Sequence, residues 1–307
     1  MVNGPARVVF PFALVVPCAG VLDYIWHWHK RPYRQIGFLL RLNLTPATNP
    51  LLITMKIATW NVNSLNVRLP HLLDWLSAAK PDVVGLQELK CEDAKFPLEA
   101  IEEAGYHAVF AGQKTYNGVA LLSRESATDV QRGIPGYDDP QQRIIAATIN
   151  GVRVVNSYFP NGQTPGSEKF AYKLDWLSHL TAWLRSELNA HPELCVIGDY
   201  NIAPTDADAH PDWKEAIHVS PPEREAFAAL VALGLTDVFR KFEQAEKSFS
   251  WWDYRMNAFR RNFGLRIDHI LASAPLAERC TECVIDKSPR VLERPSDHTP
   301  VIATFNG

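Results

Sequence analysis

From residue 55 onward, the hydrophobic and polar positions fall into two kinds of block that follow one another. Short apolar runs such as KIATW, DVVGLQE and HAVFAG have the length and composition of buried strands. Longer segments such as RLPHLLDWLSAAK, KFAYKLDWLSHLTAWLRSELN and EREAFAALVALG carry apolar residues at helical spacing. The pair Asn150-Gly151 separates RIIAATI from VRVVNSYFP and predicts a hairpin turn. Hairpins combined with crossover helices predict an α/β fold with mixed sheets and helices on their outer faces.

The first 54 residues have a different pattern. The apolar run VVFPFALVV is interrupted by Pro11 and is too short to span a bilayer, and the basic, aromatic stretch WHWHKRPYRQ follows it. Asp23 is the only acidic residue before Met55. We interpret residues 1–54 as an N-terminal extension outside the fold, and residues 55–307 as one catalytic domain. Translated upstream sequence is favoured over a targeting leader, because MKIATW opens at once with a strand pattern.

Composition adds little to this picture. The 307 residues are 47% hydrophobic and 21% charged, as in ordinary globular proteins, and we expect a monomer with no membrane segment. The net charge of −3 gives no general attraction to polyanions, so binding of nucleic acid would need a local basic face. Five scattered cysteines predict reduced thiols and a cytoplasmic location. The lone C-x-x-C at Cys280 and Cys283 has no second pair, which disfavours a zinc or redox site.

Polar side chains recur where the predicted strands begin or end. They are Asn61, Glu88, Tyr158, Asp199, Asn201, Asp268, Asp297 and His298. Taken singly, each can be explained as a turn former or a solvated loop residue. Ligands of layered α/β folds gather at strand ends, so carboxylate, amide, phenol and imidazole groups in these positions together predict one shared site.

This set of groups suits a hard divalent cation and phosphate chemistry. Glu88, Asp297 and Asn61 offer the oxygen ligands that Mg²⁺ prefers. The sequence contains no H-E-x-x-H, no paired C-x-x-C, no G-x-x-x-x-G-K-[ST] and no G-x-S-x-G motif. These absences disfavour zinc hydrolases, P-loop nucleotide hydrolases and serine hydrolases.

One segment, SWWDYRMNAFRRNFGLR, interleaves arginines with aromatic residues. Such a stretch suits phosphate contacts together with an apolar surface against which a flipped sugar packs. The alternative is that the tryptophans belong to the core and the arginines to a solvated loop. We expect at least one of the tryptophans to line the pocket. The candidates for DNA contact are Trp251, Trp252, Arg255, Arg260, Arg261 and Leu265, and Arg266 lies in the same basic cluster.

The order of the motifs TWNVNSL, GLQELK, YFPNG, GDYNIAP, SFSWWDYR, GLRIDHILAS and PSDHTPV resembles the exonuclease III family of apurinic/apyrimidinic endonucleases. The resemblance covers the chain from Met55 to the C-terminus, and the pairing of SWWDYR with GLRIDHILAS narrows the wider endonuclease/exonuclease/phosphatase superfamily to its DNA-repair branch. It implies a four-layer α/β sandwich of the DNase I-like type, with two mixed β-sheets packed face to face and helices outside. It also implies a Mg²⁺-dependent phosphodiesterase, in which Mn²⁺ can substitute. Such an enzyme cuts duplex DNA 5′ to an abasic site, trims 3′-blocking groups and degrades duplex DNA from a 3′ end.

For these residues we set out a hypothesis of roles. Asp199 orients and deprotonates the attacking water, Asn201 donates to the phosphate, and Glu88 holds the metal with Asn61 beside it. His298 binds a phosphate oxygen and is oriented by Asp268, while Tyr158 places its phenol on the phosphate. The candidate metal-site residues are Asn61, Glu88, Asp199, Asn201, Asp297 and His298. Asn63 occupies a position where some relatives carry an acid, so we give it a supporting role.

Two other functions compete with this one. A phosphodiesterase of another branch of the superfamily, acting on RNA or phospholipid head groups, would use the same catalytic groups. Its substrate loop should be apolar for a lipid, whereas the loop here is rich in arginine. A DNA-binding protein on an inactive scaffold should have lost Glu88, Asp199, Asn201 or His298, and all four are present.

Overall fold

The computed structural model of the chain describes Met1 and residues 54–307. It divides the chain into two units, Met1–Thr48 and Asn49–Gly307, and every element given below belongs to the second unit. The predicted extension, residues 1–54, lies outside the described residues except for Met1 and Thr54.

The strands are β1 (Thr54–Asn61), β2 (Val83–Gln87), β3 (His107–Ala111), β4 (Val119–Ser123), β5 (Thr128–Arg132), β6 (Ile144–Ile149), β7 (Val152–Tyr158), β8 (Leu194–Asp199), β9 (Leu235–Asp237), β10 (Asp268–Ser273), β11 (Cys280–Ile285) and β12 (Val301–Asn306). The helices are α1 (Leu65–Ala79), α2 (Leu98–Glu103), α3 (Glu168–Ala190), α4 (Pro221–Val231) and α5 (Ala274–Arg279). In the described part of the chain, no helix is both long and apolar enough to cross a membrane.

Two six-stranded sheets form the centre of the fold. The first has the strand order β11-β12-β1-β2-β4-β3, and the second has the order β5-β6-β7-β8-β10-β9. Each sheet contains one parallel pair, β1 with β2 in the first and β7 with β8 in the second, and the remaining pairs are antiparallel. The prediction of mixed sheets is confirmed.

Three apolar clusters separate four layers. The central cluster joins residues of both sheets, among them Ile57 and Leu121 of the first and Val154 and Ile197 of the second. A second cluster packs α1 against the outer face of the first sheet, and a third packs α3 and α4 against the second. The inner strands are therefore buried on both faces, which is why their sequences are continuous apolar runs rather than alternating ones. The predicted four-layer sandwich is confirmed.

A buried polar contact ties the two sheets together. Asn156 of β7 donates from Nδ2 to the carbonyl oxygens of Leu86 (2.9 Å) and Ala120 (2.8 Å) in the first sheet. Its Oδ1 accepts from Gln87 Nε2 at 2.6 Å. Gly85 leaves room for this contact, because a Cβ at that position would lie 2.7 Å from Asn156 Oδ1.

Four elements were not predicted from the sequence. β5 is largely exposed and β9 has three residues, so neither gives a clear apolar run. α5 follows β10 with no intervening loop and leads directly into β11, which has a register irregularity between Cys280 and Glu282.

Candidate active site

Strand register brings the predicted site residues to one end of the sandwich. Because β1 and β2 are parallel neighbours, Asn61 at the end of β1 and Glu88 just after β2 emerge at the same edge. In the second sheet, Asp199 lies opposite Tyr158 in the β7–β8 ladder and opposite Asp268 in the β8–β10 ladder. Each sheet therefore contributes part of a single site.

Asn61 connects the acidic groups of the two sheets. Its Nδ2 donates to Glu88 Oε1 and to Asp199 Oδ2, both at 2.9 Å. Its Oδ1 accepts from the backbone N–H of Asn63 at 2.9 Å. The amide oxygen is thus turned away from the acids, so Asn61 orients the metal-site carboxylates rather than ligating an ion in this arrangement.

Glu88 has two further partners. The Tyr158 hydroxyl donates to Glu88 Oε1 at 2.9 Å, and Lys90 Nζ lies 2.7 Å from Glu88 Oε2. Burial alone would raise the pKa of Glu88, but Lys90 and the hydrogen bond from Asn61 outweigh it and hold this pKa below its ordinary value. Burial and the charges of Glu88 and Asp199 raise the pKa of Tyr158 well above 10. Tyr158 is therefore a hydrogen-bond donor at any physiological pH.

His298 lies between two carboxylates. Its Nδ1 is 2.9 Å from Asp268 Oδ2 and its Nε2 is 3.6 Å from Asp199 Oδ2. Ser250 Oγ donates to Asp268 Oδ2 at 2.6 Å and fixes that carboxylate. Burial disfavours the charged imidazole, yet the charges of Asp268 and Asp199 outweigh burial and raise the pKa of His298 to about 10. The ring is therefore an imidazolium, whose Nδ1 donates to Asp268 and whose Nε2 forms an ion pair with Asp199.

Asp199 is fully enclosed and tightly held. Its Oδ1 accepts from the backbone N–H of Asn201 at 2.9 Å, and Asn201 Nδ2 lies 3.3 Å from its Oδ2. Burial raises the pKa of Asp199 to about 7, although the charge of His298 and the hydrogen bonds from Asn61 and Asn201 oppose the rise. A carboxylate with such a pKa is suited to accept a proton near neutral pH.

The acidic centre fits a hard cation. One ligand atom from each of Glu88, Asp199 and His298 lies within 4.8 Å of the other two, and this is the group with metal-ligand spacing in the described part of the chain. Carboxylate oxygens are the donors that Mg²⁺ prefers. A cation here would also offset the cost of burying the Asp199 charge. Glu88 and Asp199 supply the oxygen ligands of this group, and a metal contact by His298 stays a prediction.

Asp297 and Asn201, both predicted to touch the metal, are engaged elsewhere. Asp297 lies outside the three-residue group, since its Oδ1 accepts from Asn63 Nδ2 and its Oδ2 from Trp251 Nε1, each at 2.9 Å. Asn201 Oδ1 accepts from Asn161 Nδ2 at 3.2 Å. Both side chains therefore position neighbouring site residues in this structure.

The predicted DNA-contacting residues divide by exposure. Arg255, Arg260 and Arg261 are exposed on the loop that precedes β10, and Trp251 is half-buried beside Asp297. Trp252 and Leu265, by contrast, are 0% exposed, so the structure does not place them on a DNA-facing surface. Trp252 packs with Phe249 and Ala258, and Leu265 with Ala203 and Ile267.

Arg266 also turns inward, against the prediction for the basic cluster. Its guanidinium donates to Asp208 Oδ1 at 2.6 Å and to Asp237 Oδ2 at 2.7 Å, and the side chain is 1% exposed. Both acids are remote in sequence, which is why the pattern of basic residues alone could not separate Arg266 from its exposed neighbours.

Three site residues were missed from the sequence. Lys90 carried a usable signal, because it lies two positions after Glu88 and so projects to the same side of an extended chain. Lys173, whose ammonium group donates to the Asn201 carbonyl at 2.7 Å, also gave a sequence signal. It is a charged residue on the apolar stripe of α3, with Phe170 and Trp176. Ser250 gave no local signal, because its partner Asp268 is 18 residues away.

Comparison with known proteins places the chain in a family. Residues 58–298 match the Endonuclease/Exonuclease/phosphatase family. Exodeoxyribonuclease III of Haemophilus influenzae is 40% identical over 267 residues, which span 82% of this chain and 100% of that protein. A 3′ phosphatase, NExo, from Neisseria, solved bound to a product DNA hairpin, is 49% identical with a TM-score of 0.81, covering 82% of this chain and 100% of that one.

An AP endonuclease from Archaeoglobus fulgidus is 41% identical with a TM-score of 0.79, covering 82% of this chain and 99% of that chain. These relatives are nucleases and a phosphatase, and each match covers 82% of this chain. Together with the family match and the geometry of the site, they show that the chain belongs to the Endonuclease/Exonuclease/phosphatase family, in its exonuclease III-like DNA-repair branch, and is a hydrolase of the nuclease type.

Proposed function

We propose that the protein is a Mg²⁺-dependent DNA-repair phosphodiesterase that cuts duplex DNA 5′ to abasic sites and also removes nucleotides and blocking groups from 3′ ends. The observation that carries the proposal is the line of contacts Asp268–His298–Asp199, with Glu88 beside it at the meeting point of the two sheets. The charged His298 ring lies between Asp199, a buried candidate base, and Asp268, and Glu88 adds a carboxylate at metal-ligand spacing. This arrangement is suited to hydrolysis of a phosphodiester.

In this mechanism Asp199 orients the attacking water and takes its proton. Burial makes this carboxylate a stronger base than an exposed aspartate, and Asn201 holds it through the hydrogen bond from its backbone N–H. The His298 imidazolium donates from Nε2 to a non-bridging phosphate oxygen, where negative charge grows as water attacks. Asp268 keeps the ring charged and correctly oriented through Nδ1.

Glu88 and Asp199 would hold the metal ion, with Asn61 orienting both carboxylates. When bound, Mg²⁺ neutralises charge on the phosphate and on the departing O3′. The Tyr158 hydroxyl, which stays protonated, donates beside Glu88 and can turn to the phosphate when DNA binds.

The exposed arginines of the 254–263 loop support DNA as the substrate. Arg260 and Arg261 supply local positive charge on a chain whose net charge is −3, while Arg255 is paired with Asp253. Trp251 offers an aromatic surface next to the catalytic histidine. The Neisseria relative was solved with a product DNA hairpin, in agreement with a DNA substrate.

The test uses purified protein and two duplexes, one with an abasic-site analogue and one with a recessed 3′ end. Each is assayed with Mg²⁺, with Mn²⁺ and with chelator. We expect incision 5′ to the analogue and shortening of the recessed strand with either metal, and neither product with chelator. Hydrolysis of a phosphoinositide or an RNA tail with neither DNA product would overturn the proposal.

A second candidate activity is removal of a 3′-phosphate. It is favoured by the 49% identity to a Neisseria protein described as a 3′ phosphatase. The same assay with a duplex that ends in a 3′-phosphate measures it, by release of inorganic phosphate. The ratio of this rate to the rate of abasic incision assigns the main substrate.

We further propose that the protein acts as a monomer in the cytoplasm. The four cysteines among the described residues, Cys91, Cys195, Cys280 and Cys283, are free and buried, as suits a reducing compartment. Light scattering of the purified protein checks the oligomeric state, and fractionation of cells checks the location.

A further inference from the structure

Lys173 is a charged residue on the buried face of α3. Its side chain is 0% exposed, and it lies between Phe170 and Trp176 on a stripe that otherwise packs into the core. Its ammonium group donates to Asn201 O at 2.7 Å, Asn161 O at 3.2 Å and Glu223 Oε1 at 2.5 Å. A buried ammonium is costly even when paired, so a position in the core calls for a reason beyond packing.

Glu223, the charge partner, is itself fixed. It lies in the first turn of α4 and closes a capping box with Ser220, whose N–H and Oγ donate to Glu223 Oε2 at 3.1 and 2.6 Å. The backbone N–H of His218 donates to Glu223 Oε1 at 3.1 Å. With its lone pairs satisfied, Glu223 cannot follow Lys173 if the lysine moves, so the ammonium is held at one point.

The two carbonyl groups that accept from Lys173 belong to loops of the active site. Asn161 follows β7 and Asn201 follows β8. Asn201 has φ of 50°, a left-handed conformation that is uncommon outside glycine and must be held by its surroundings. Its carbonyl also accepts from His218 Nδ1 at 2.7 Å, while its N–H and Nδ2 bind the Asp199 carboxylate.

The loop after β7 closes on the same side chain. A Cβ added at Gly162 would lie 2.9 Å from Lys173 Cδ, so the backbone packs directly on the aliphatic part of the lysine. Lys173 thus touches both loops that frame the proposed phosphate position, without reaching that position itself.

We propose that Lys173 is a positioning residue of the nuclease site, whose ammonium group fixes the Asn161 and Asn201 carbonyls and so holds Asp199 in its reactive orientation. The inference rests on the proposed function. A displacement of a reacting group by about 1 Å costs on the order of 100-fold in rate. The exposed arginines that bind DNA lie on another loop, so the effect should fall on kcat and leave KM largely unchanged.

The experiment is the double variant Lys173→Met/Glu223→Gln, which removes both buried charges and leaves no unpaired one. Kinetics are measured on a DNA substrate that the wild-type protein cleaves, at a temperature well below the Tm of each variant. We expect kcat to fall by about 100-fold with little change in KM.

The matched control is Arg153→Met/Glu187→Gln, which removes an ion pair between β7 and α3. Arg153 is 2% exposed and its Nε lies 2.7 Å from Glu187 Oε2, near the far end of the helix from Lys173. We expect this control to lower Tm while kcat stays at the wild-type value.

Wild-type kcat in the Lys173→Met/Glu223→Gln variant would refute the inference, and so would an equal loss of kcat in the control. Absence of cleavage by the wild-type protein on every DNA substrate would instead refute the proposed function, and with it the inference.

Discussion

Asp199 and His298 illustrate how burial and charge act together on single side chains. Asp199 is held by Asn61 at the end of β1, by Asn201 and by His298, which together fix its carboxylate in one orientation. Its sequence context, an acid and an amide two positions apart at the end of a buried strand, was enough to predict that it belongs to the site. Its partners could not be predicted in the same way, because Asn61 lies 138 residues away.

Replacement of the proposed base tests its role directly. We expect Asp199→Asn to lower kcat by on the order of 100- to 10,000-fold, because the amide cannot accept the proton of the attacking water. The asparagine side chain has the same shape as that of aspartate, so the circular dichroism spectrum and Tm of the variant should be close to those of the wild-type protein. Near-normal cleavage of the abasic duplex would contradict the assignment of the base.

The charge of His298 gives a prediction on pH. In the wild-type protein the pKa of His298 is about 10, so the ring stays charged from pH 6 to 9. The Asp268 carboxylate is a large cause of the raised pKa of His298. In Asp268→Asn this negative charge is absent while burial still disfavours the charged ring, so we expect the pKa of His298 to fall. We expect the ratio of variant to wild-type kcat/KM to decline as pH rises from about 6 to about 9. A ratio that is low but constant with pH would contradict a role through protonation.

The sequence did not show which of the two adjacent tryptophans faces the site. Trp251 and Trp252 have the same composition around them, yet one is half-buried at the site and the other is core. Bridges of Trp251 to Leu265 and His298 decide which ring faces the site. Those bridges are tertiary contacts, which local sequence does not specify.

At the scale of elements, strand ends and not helices carry the chemistry. Strand existence was predictable for β1, β2, β7, β8, β10 and β12, because each is a short apolar run bounded by polar residues. These are the strands that place the site. β5, β9 and β11 were not predicted, and they lie at sheet edges, where burial on one or both faces is lost and the apolar signal weakens.

The close contact between β2 and β7 at Gly85 can be tested by a substitution. A Cβ at Gly85 would lie 2.7 Å from Asn156 Oδ1 and 2.7 Å from Ile197 Cδ1. We expect Gly85→Ala to lower the free energy of unfolding by about 1–3 kcal/mol, because the sheets must separate or Asn156 must give up a hydrogen bond. Urea unfolding measures this, and kcat/KM of the folded variant should stay unchanged. An unchanged unfolding midpoint would show that the interface can absorb a methyl group.

At the scale of the whole molecule, the site is a product of the packing of two sheets. The first sheet and its loops supply Asn61, Glu88 and His298, and the second supplies Tyr158, Asp199 and Asp268. Mixed sheets covered by helices could be predicted from the alternation of strands and helices, whereas the four-layer arrangement followed from the family resemblance alone. The register of one sheet on the other could not, because it depends on side-chain contacts such as Asn156 with Leu86.

A metal bound between the sheets should stabilise the whole fold. An ion at about 100 times its Kd adds about 2.7 kcal/mol of stability, and each kcal/mol raises Tm by about 2–4 °C for a domain of this size. We therefore expect the Tm of chelator-treated protein to rise by about 5–10 °C with saturating Mg²⁺. Differential scanning calorimetry measures the change, with NaCl of equal ionic strength as the control.

Glu88→Gln should lose most of this increase, because it removes one of the two fitting carboxylates. A Mg²⁺-dependent rise in Tm that persists undiminished in Glu88→Gln would place the ion elsewhere.

The division of the site between two sheets also ties activity to completion of the fold. Asp268 and His298 come from the last 40 residues of a 307-residue chain, while Glu88 and Asp199 are translated much earlier. A nascent or half-assembled chain therefore holds acidic groups but no imidazolium, and cannot sever a phosphodiester. We therefore expect nuclease activity only once β12 has paired with β1 and placed His298 beside Asp199.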